Sequence, residues 1–307
     1  MLAAFVFPFW VFLARTLDRL GKGLRTGARD AMLSGEATAE NKAKIFGFHR
    51  GMDTLGAAIG PLAALLYLYF YPGSYKVLFL IAFIPGLAGV AITFLLKDST
   101  VSQAQKPDYS FFKFFRYWKI STPDYKKLLT GLLAFTFFNS SDVFLLLMLK
   151  EKGFDDTMVL SAYIFYNLVY ALMSYPMGKL ADKAGLRITL ILGLILFTIV
   201  YTGMAFNEYT AGFYGLFFLY GVYAACTEGI SKAWISNLSK KEEVGTAIGF
   251  YSSFNSILTM CASTFAGFIW YAVNPPAVFI VAGTGTFLVV VYFLLWNVLI
   301  TGPKKSS

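Results

Sequence analysis

Apolar residues run through this chain in long blocks separated by short polar connectors. Eight blocks, at about 40 to 70, 75 to 96, 124 to 149, 157 to 179, 187 to 206, 210 to 239, 243 to 273 and 276 to 299, each predict one membrane-spanning helix, because a bilayer core of about 30 Å takes roughly 20 mostly apolar residues. The start of the chain differs. Leu2 to Ala14 is apolar but too short to span alone, and Arg15, Asp18, Arg19, Lys22 and Arg25 follow it. An internal repeat predicts how that segment continues. The stretch Arg15 to Arg25 leads across a charged connector into Phe46-Gly47-Phe48 and an apolar run, and Cys226-Thr227-Glu228-Gly229 leads across a shorter one into Ile248-Gly249-Phe250 and another. Aligning Gly23 with Gly229 makes residues 5 to 33 the counterpart of 211 to 239. The first helix is therefore expected to run through its own charges to about Leu33. A cleaved signal peptide would carry its charges before the apolar run, not after it.

Composition fixes the solvent. Hydrophobic residues make up 57% of the chain and charged residues 14%, far from the balance of a soluble domain, so the chain is an integral membrane protein. The net charge of +9 sits beside the spans, where basic residues orient a membrane protein, and nucleic acid is not an expected partner. Basic residues concentrate in alternate connectors: Arg29, Lys42 and Lys44 in the first, and Lys106, Lys113, Arg116, Lys119 and Lys126 in the third. That side is predicted to face the cytoplasm, together with the tail at 301–307, in a plasma or inner membrane. The expected organisation is a partial N-terminal bundle of three spans at 1–97, a cytoplasmic linker with an interfacial helix at 98–123, and a six-helix bundle at 124–300.

Charges inside spans are the candidate chemistry. At about 100° per residue, Arg15, Asp18, Arg19, Lys22, Arg25 and Arg29 fall within roughly 140° of arc and form one stripe. A charge at the bilayer centre costs at least about 2.5 kcal/mol, so the stripe is expected to face protein or water. Arg15, Asp18, Arg19 and Lys22 are candidate cavity residues, whereas Arg25 and Arg29 suit the headgroup region. Asp53 shares a helix face with His49 and Arg50, Asp142 closes the polar run Asn139-Ser140-Ser141-Asp142, and Glu228 has Lys232 one turn on. Asp53, Asp142 and Glu228 are candidate proton carriers, and a structural ion pair is the competing reading for each. Asn139, Tyr166 and Asn167 join the cavity candidates, with Tyr163, Tyr170, Tyr220 and Tyr223 either packing or stacking on solute. Cys226 and Cys261 lie in apolar runs without paired spacing and read as inert core residues. No metal cluster, nucleotide-binding loop or nucleophile–base pair is legible, so neither enzyme activity, a metal nor a cofactor is expected.

Three stretches resemble the signatures of the major facilitator superfamily. Ala14-Arg15-Thr16-Leu17-Asp18-Arg19-Leu20-Gly21-Lys22-Gly23 is similar to that family's fourth-helix signature, Gly56-Ala57-Ala58-Ile59-Gly60-Pro61 to the fifth-helix signature of drug and proton antiporters, and Gly178 to Arg187 to the loop after the eighth helix. The resemblance implies an all-α membrane fold of about nine helices, equivalent to helices four to twelve, with the first three absent. It implies a bacterial, drug-antiporter-like carrier: secondary transport of a small organic solute, with proton-coupled efflux by alternating access. The sequence leaves open uptake of an organic anion, which the basic stripe favours, and a non-transporting truncated fragment. Arg19 stands where the signature has glycine, and Ala63 and Ala64 where the antiporter signature prefers glycine. Gating is expected from Gly56, Gly60, Pro61, Gly178, Asp182, Gly185 and Arg187. Asp182 in particular is predicted to latch onto the start of the second span, where unpaired N–H groups attract a carboxylate.

Overall fold

The computed structural model describes residues 26–95 and 117–296, and among these every regular element is helical. Residues 26–35 form α1. The long helices follow as α2 Lys42–Phe70, α3 Tyr75–Thr93, α4 Pro123–Phe138, α5 Val143–Glu151, α6 Asp156–Ala184, α7 Leu186–Phe206, α8 Thr210–Asn237, α9 Val244–Ala272 and α10 Pro275–Leu295. Seven are long and apolar enough to cross a membrane, counting α4 and α5 as one interrupted span. The one predicted block outside these seven, α9, is as long as any, with 29 residues, but interleaves Ser252, Ser253, Asn255 and Ser256 with its apolar positions.

Local chemistry explains where these helices begin and end. Thr122, Asp155 and Asn274 each accept a hydrogen bond from the backbone N–H three residues on, at 3.2, 2.9 and 2.9 Å, which satisfies a donor that the first helical turn leaves unpaired. Proline stands at the first positions of α4 and α10, where its missing N–H costs nothing. Gly185 separates α6 from α7 with φ +105°, a conformation that a Cβ would strain. Thus α6 can stop and α7 can start without a loop.

One helix departs from the expected continuous span. Residues 139–142 leave the helical path between α4 and α5, although the block at 124 to 149 reads as uninterrupted. Asn139 N–H turns back to the carbonyls of Phe135 and Thr136, and Ser141 N–H is met by the Ser263 hydroxyl of α9 at 3.1 Å. Backbone freed from helix inside a membrane survives only where protein or trapped polar groups satisfy it.

The helices pack with α2 against α6 and α8, α6 against α8, α7 against α8 and α10, and α4 against α9 and α10. Tyr125, Leu128, Phe197, Phe213, Phe217 and Phe293 fill the centre. The outward faces carry Leu192, Ile257, Met260, Phe268 and Leu288, the inverse of a soluble protein and the expected skin of one bathed in lipid. Helix α3 touches α2 only lightly and buries no side chain among the described residues. Cys261 is exposed while Cys226 is buried, which corrects the expectation that both are core residues. The 98–123 linker is described only from residue 117 onward. There Tyr117 stacks edge-on against Tyr125 with ring centres 5.4 Å apart, and burial raises its phenol above the ordinary value, leaving it a neutral donor to Ser239.

Candidate functional site

Small residues let α2 approach α6 and α8 closely. A Cβ added to Gly51 would come within 2.9 Å of the Ala171 carbonyl, and one added to Gly229 within 3.2 Å of the Gly47 nitrogen. At Gly47 and Gly178 the added carbon would strike the carbonyls of Ser174 and Ala43. Dispersion and short polar contacts drive helix association where lipid is as apolar as the helix, so such backbone-to-backbone contact is the means of holding these elements together. Gly56 and Gly60 do not take part: no described residue lies within 4 Å of a Cβ at either.

At one end of this seam Asp182 closes the start of α2. Its Oδ1 accepts from Ala43 N–H at 3.0 Å and its Oδ2 from Lys44 N–H at 2.8 Å. Asn41, the local N-cap residue, makes no capping bond to its own helix; its side chain accepts from Thr38 N–H at 2.8 Å instead. The cap of α2 is therefore supplied from α6, so the two helices cannot part at this end without exposing two N–H groups. Arg187 lies beyond the latch. Its guanidinium donates to the carbonyls of Phe293 and Leu294, tying α7 to the end of α10.

Deeper in the same half lie two charge clusters. Arg50 of α2 pairs with Glu228 of α8, donates to the Tyr170 phenol at 2.8 Å and reaches Asp53 at 3.2 Å. Asp30 of α1, only 1% exposed, accepts from Lys232 at 2.6 Å and from Arg29 at 3.2 Å. The partners are not those that spacing suggested. Lys232 sits one turn from Glu228 but bonds Asp30, and Glu228 bonds Arg50. Arg29, placed at the headgroups by the sequence, is paired with a buried carboxylate. His49 lines a mainly apolar hollow of about 370 Å³ beside Leu33, Phe48, Met52 and Tyr175.

Asp142 has a different environment. Its Oδ2 accepts from the Tyr166 phenol at 2.7 Å and its Oδ1 from the Tyr220 phenol at 2.8 Å, and no basic side chain pairs with it among the described residues. Asn139 donates to the Tyr223 phenol at 3.1 Å. Asn139 Oδ1 and Ser140 Oγ are buried without a hydrogen-bond partner among the described residues. Rings of Tyr166, Tyr220, Tyr223, Phe135, Phe197 and Tyr201 stack into a wall around the break. Asn167 is buried, but its amide donates to the Tyr163 carbonyl of its own helix at 2.9 Å, apart from the Asp142 network.

The two acidic sites sit in opposite halves of the bundle. Glu228 is nine residues from the Asn237 end of α8 and Asp142 is separated from the far end of its span by the nine residues of α5, about 14 Å in each case at 1.5 Å per residue. Of the sequence candidates, the structure thus joins Asn139, Asp142 and Tyr166 in one network and Asp53 with Glu228 in another. It sets Gly178 and Asp182 at the α2–α6 contact, and Gly185 at the junction of α6 and α7. Arg15, Asp18, Arg19 and Lys22 lie outside the described residues. Sequence reasoning grouped Arg50 with Asp53 and named Tyr170 as a packing or stacking ring, but it did not single out Asp30 as a cluster member. The short run Arg29-Asp30, a charge pair inside the predicted first helix, was the available signal.

The chain is thus a polytopic helical bundle with acids at membrane depth and a small-residue seam. The sequence model of the Major Facilitator Superfamily matches residues 1–166 and 128–307, and the chain belongs to that superfamily. It is 33% identical over 273 residues to an uncharacterized MFS-type transporter of Methanocaldococcus jannaschii, covering 86% of this chain and 66% of that protein. It is also 32% identical over 89 residues to an uncharacterized protein of Mycobacterium tuberculosis, a match covering 29% of this chain and 22% of that one. Among solved structures, the human organic anion transporter MFSD10 (TETRAN) superposes with a TM-score of 0.74 at 12% identity, over 87% of this chain and 67% of that one. The chain thus spans about two thirds of the length of the archaeal relative.

Proposed function

We propose that this membrane transporter is a secondary active carrier that exports a small organic solute in exchange for protons by alternating access, with the Asp182 end and the C-terminus facing the cytoplasm of a plasma or inner membrane. The observation that supports the reading is the isolation of Asp142. A carboxylate held by two phenols at a helix break can gain and lose a proton without breaking an ion pair, whereas Asp53 and Glu228 are each tied to Arg50. Coupling needs a group whose charge changes during the cycle, and Asp142 is free to change. The α2–α6 contact, capped by Asp182, is the closed gate on the cytoplasmic side, and its backbone-to-backbone fit makes it a packed seam that opens as a unit.

Carriage of an organic anion is a second reading. It is favoured by the basic stripe Arg15, Arg19 and Lys22 and by the described name of the human fold relative. One experiment separates the two: the purified chain in liposomes with a trapped pH dye, challenged with a panel of small organic cations and anions. The proposed reading expects organic cations or neutral solutes to collapse an imposed pH gradient at rates well above empty liposomes. Uptake of anions alone would favour the second reading, and no solute-dependent flux would contradict both.

A further inference from the structure

The break between α4 and α5 gathers more oxygen than its hydrogen bonds use. Asp142 contributes a carboxylate with no basic partner among the described residues. Beside it in the chain, Asn139 Oδ1 and Ser140 Oγ are buried acceptors without a partner, and Ser140 is only 5% exposed. The Tyr201 hydroxyl on α7, wholly buried, makes no well-formed hydrogen bond among the described residues, but it lies beside the Ser140 hydroxyl and within electrostatic reach of Asp142. A buried polar atom left unpaired is costly, and three oxygens sharing that condition beside one carboxylate call for something that oxygens can hold.

The donor set decides what that is. Every available atom is oxygen, with no thiolate or imidazole, which suits a hard cation. One carboxylate neutralises one positive charge, whereas Ca²⁺ takes about six to eight oxygens and Mg²⁺ keeps several waters in a strict octahedron, more room and more ligands than this buried set supplies. Half-helix ends and unwound backbone at a broken span are where transport proteins hold small monovalent ions. We propose that the α4–α5 break is a sodium site, with Asp142, Asn139 Oδ1 and Ser140 Oγ as ligands and the Tyr201 hydroxyl as a further oxygen. The proposal rests on reading Asp142 as the coupling carboxylate and widens the ions that it takes. The groups that face it from the packed helices are the phenols of Tyr166 on α6, Tyr201 on α7 and Tyr220 and Tyr223 on α8, with no basic side chain among the described residues.

Thermal unfolding of the purified chain, titrated at constant pH and ionic strength with NaCl against choline chloride or KCl, tests the site. A ligand that binds only the folded state raises Tm saturably. The expected result is a sodium-specific rise of a few degrees, with half-saturation shifted by roughly tenfold or more in Ser140→Ala, the mildest ligand deletion, and the rise abolished in Asp142→Asn. Where Asp142→Asn fails to fold, Ser140→Ala and Asn139→Ala carry the test. An equal response to choline and potassium, or a sodium shift unchanged in all three variants, overturns the site. Solute-driven proton flux that persists with no sodium effect would sink the sodium site while leaving the transport reading intact. A sodium effect without any solute flux would do the reverse.

Discussion

The acids of the α2–α8 seam and the acid of the α4–α5 break sit at similar depths from opposite ends of the bundle, yet their surroundings differ. In the half nearer Asp182, three carboxylates meet cations: Asp30 meets Lys232 and Arg29, and Glu228 and Asp53 meet Arg50. The Asp30–Lys232 and Glu228–Arg50 pairs cross between helices, so their charges lock relative positions. Asp142 meets phenols, and its charge can change without unmaking a helix contact. In the proposed transport cycle, the first kind of site would hold a state and the second would change it.

The comparison breaks most readily at Asp30. Asp30→Ala would leave the half-buried Lys232 and Arg29 without their carboxylate, and since removal of one partner from a buried pair costs about 3–5 kcal/mol, a loss toward the lower end of that range follows. The expected outcome is a large fall in the thermal midpoint of the purified protein, whereas an unchanged midpoint would remove the locking role. Gly178→Val should cost somewhat less, about 1–3 kcal/mol, because its side chain meets the Ala43 backbone and forces α6 from α2. Cysteine labelling on the Asp182 side should rise in parallel with that loss of stability. Asp182→Asn is smaller again. It keeps one acceptor but removes the negative charge beside the α2 N-terminus, worth roughly 0.3–1 kcal/mol, so labelling on that side should increase modestly with the fold intact. Unchanged labelling would reduce Asp182 to a turn residue.

The spans were legible in the sequence because the bilayer imposes a length on every apolar run, and α2, α7, α8 and α9 begin and end within a few residues of the predicted blocks. The cap made by Asp182 was legible for a comparable reason: a carboxylate in a short loop and a helix N-terminus at the same membrane face attract each other whatever the intervening fold. The α4–α5 break was not, since Phe137-Phe138 and Val143-Phe144 continue the apolar run on both sides and neither proline nor glycine marks residues 139–142. The Asp30–Lys232 pair joins residues 202 apart, and spacing along one helix instead favoured Glu228 as the partner of Lys232. The glycines that resemble the antiporter signature, Gly56 and Gly60, are not those that form the close seam. Gly47, Gly51 and Gly178 form it, and only the three-dimensional register of α2 on α6 distinguishes the two sets.

The most direct measurement is solute-driven proton flux through Asp142→Asn in liposomes, run beside Glu228→Gln. Asparagine keeps the size of the side chain and an acceptor for one phenol, but it cannot carry a proton. The account predicts that Asp142→Asn still exchanges labelled solute down its gradient while no longer moving protons with it, and that Glu228→Gln weakens the fold but retains coupling. Full proton coupling in Asp142→Asn, or its loss in Glu228→Gln alone, would contradict the assignment of the changeable charge to the α4–α5 break.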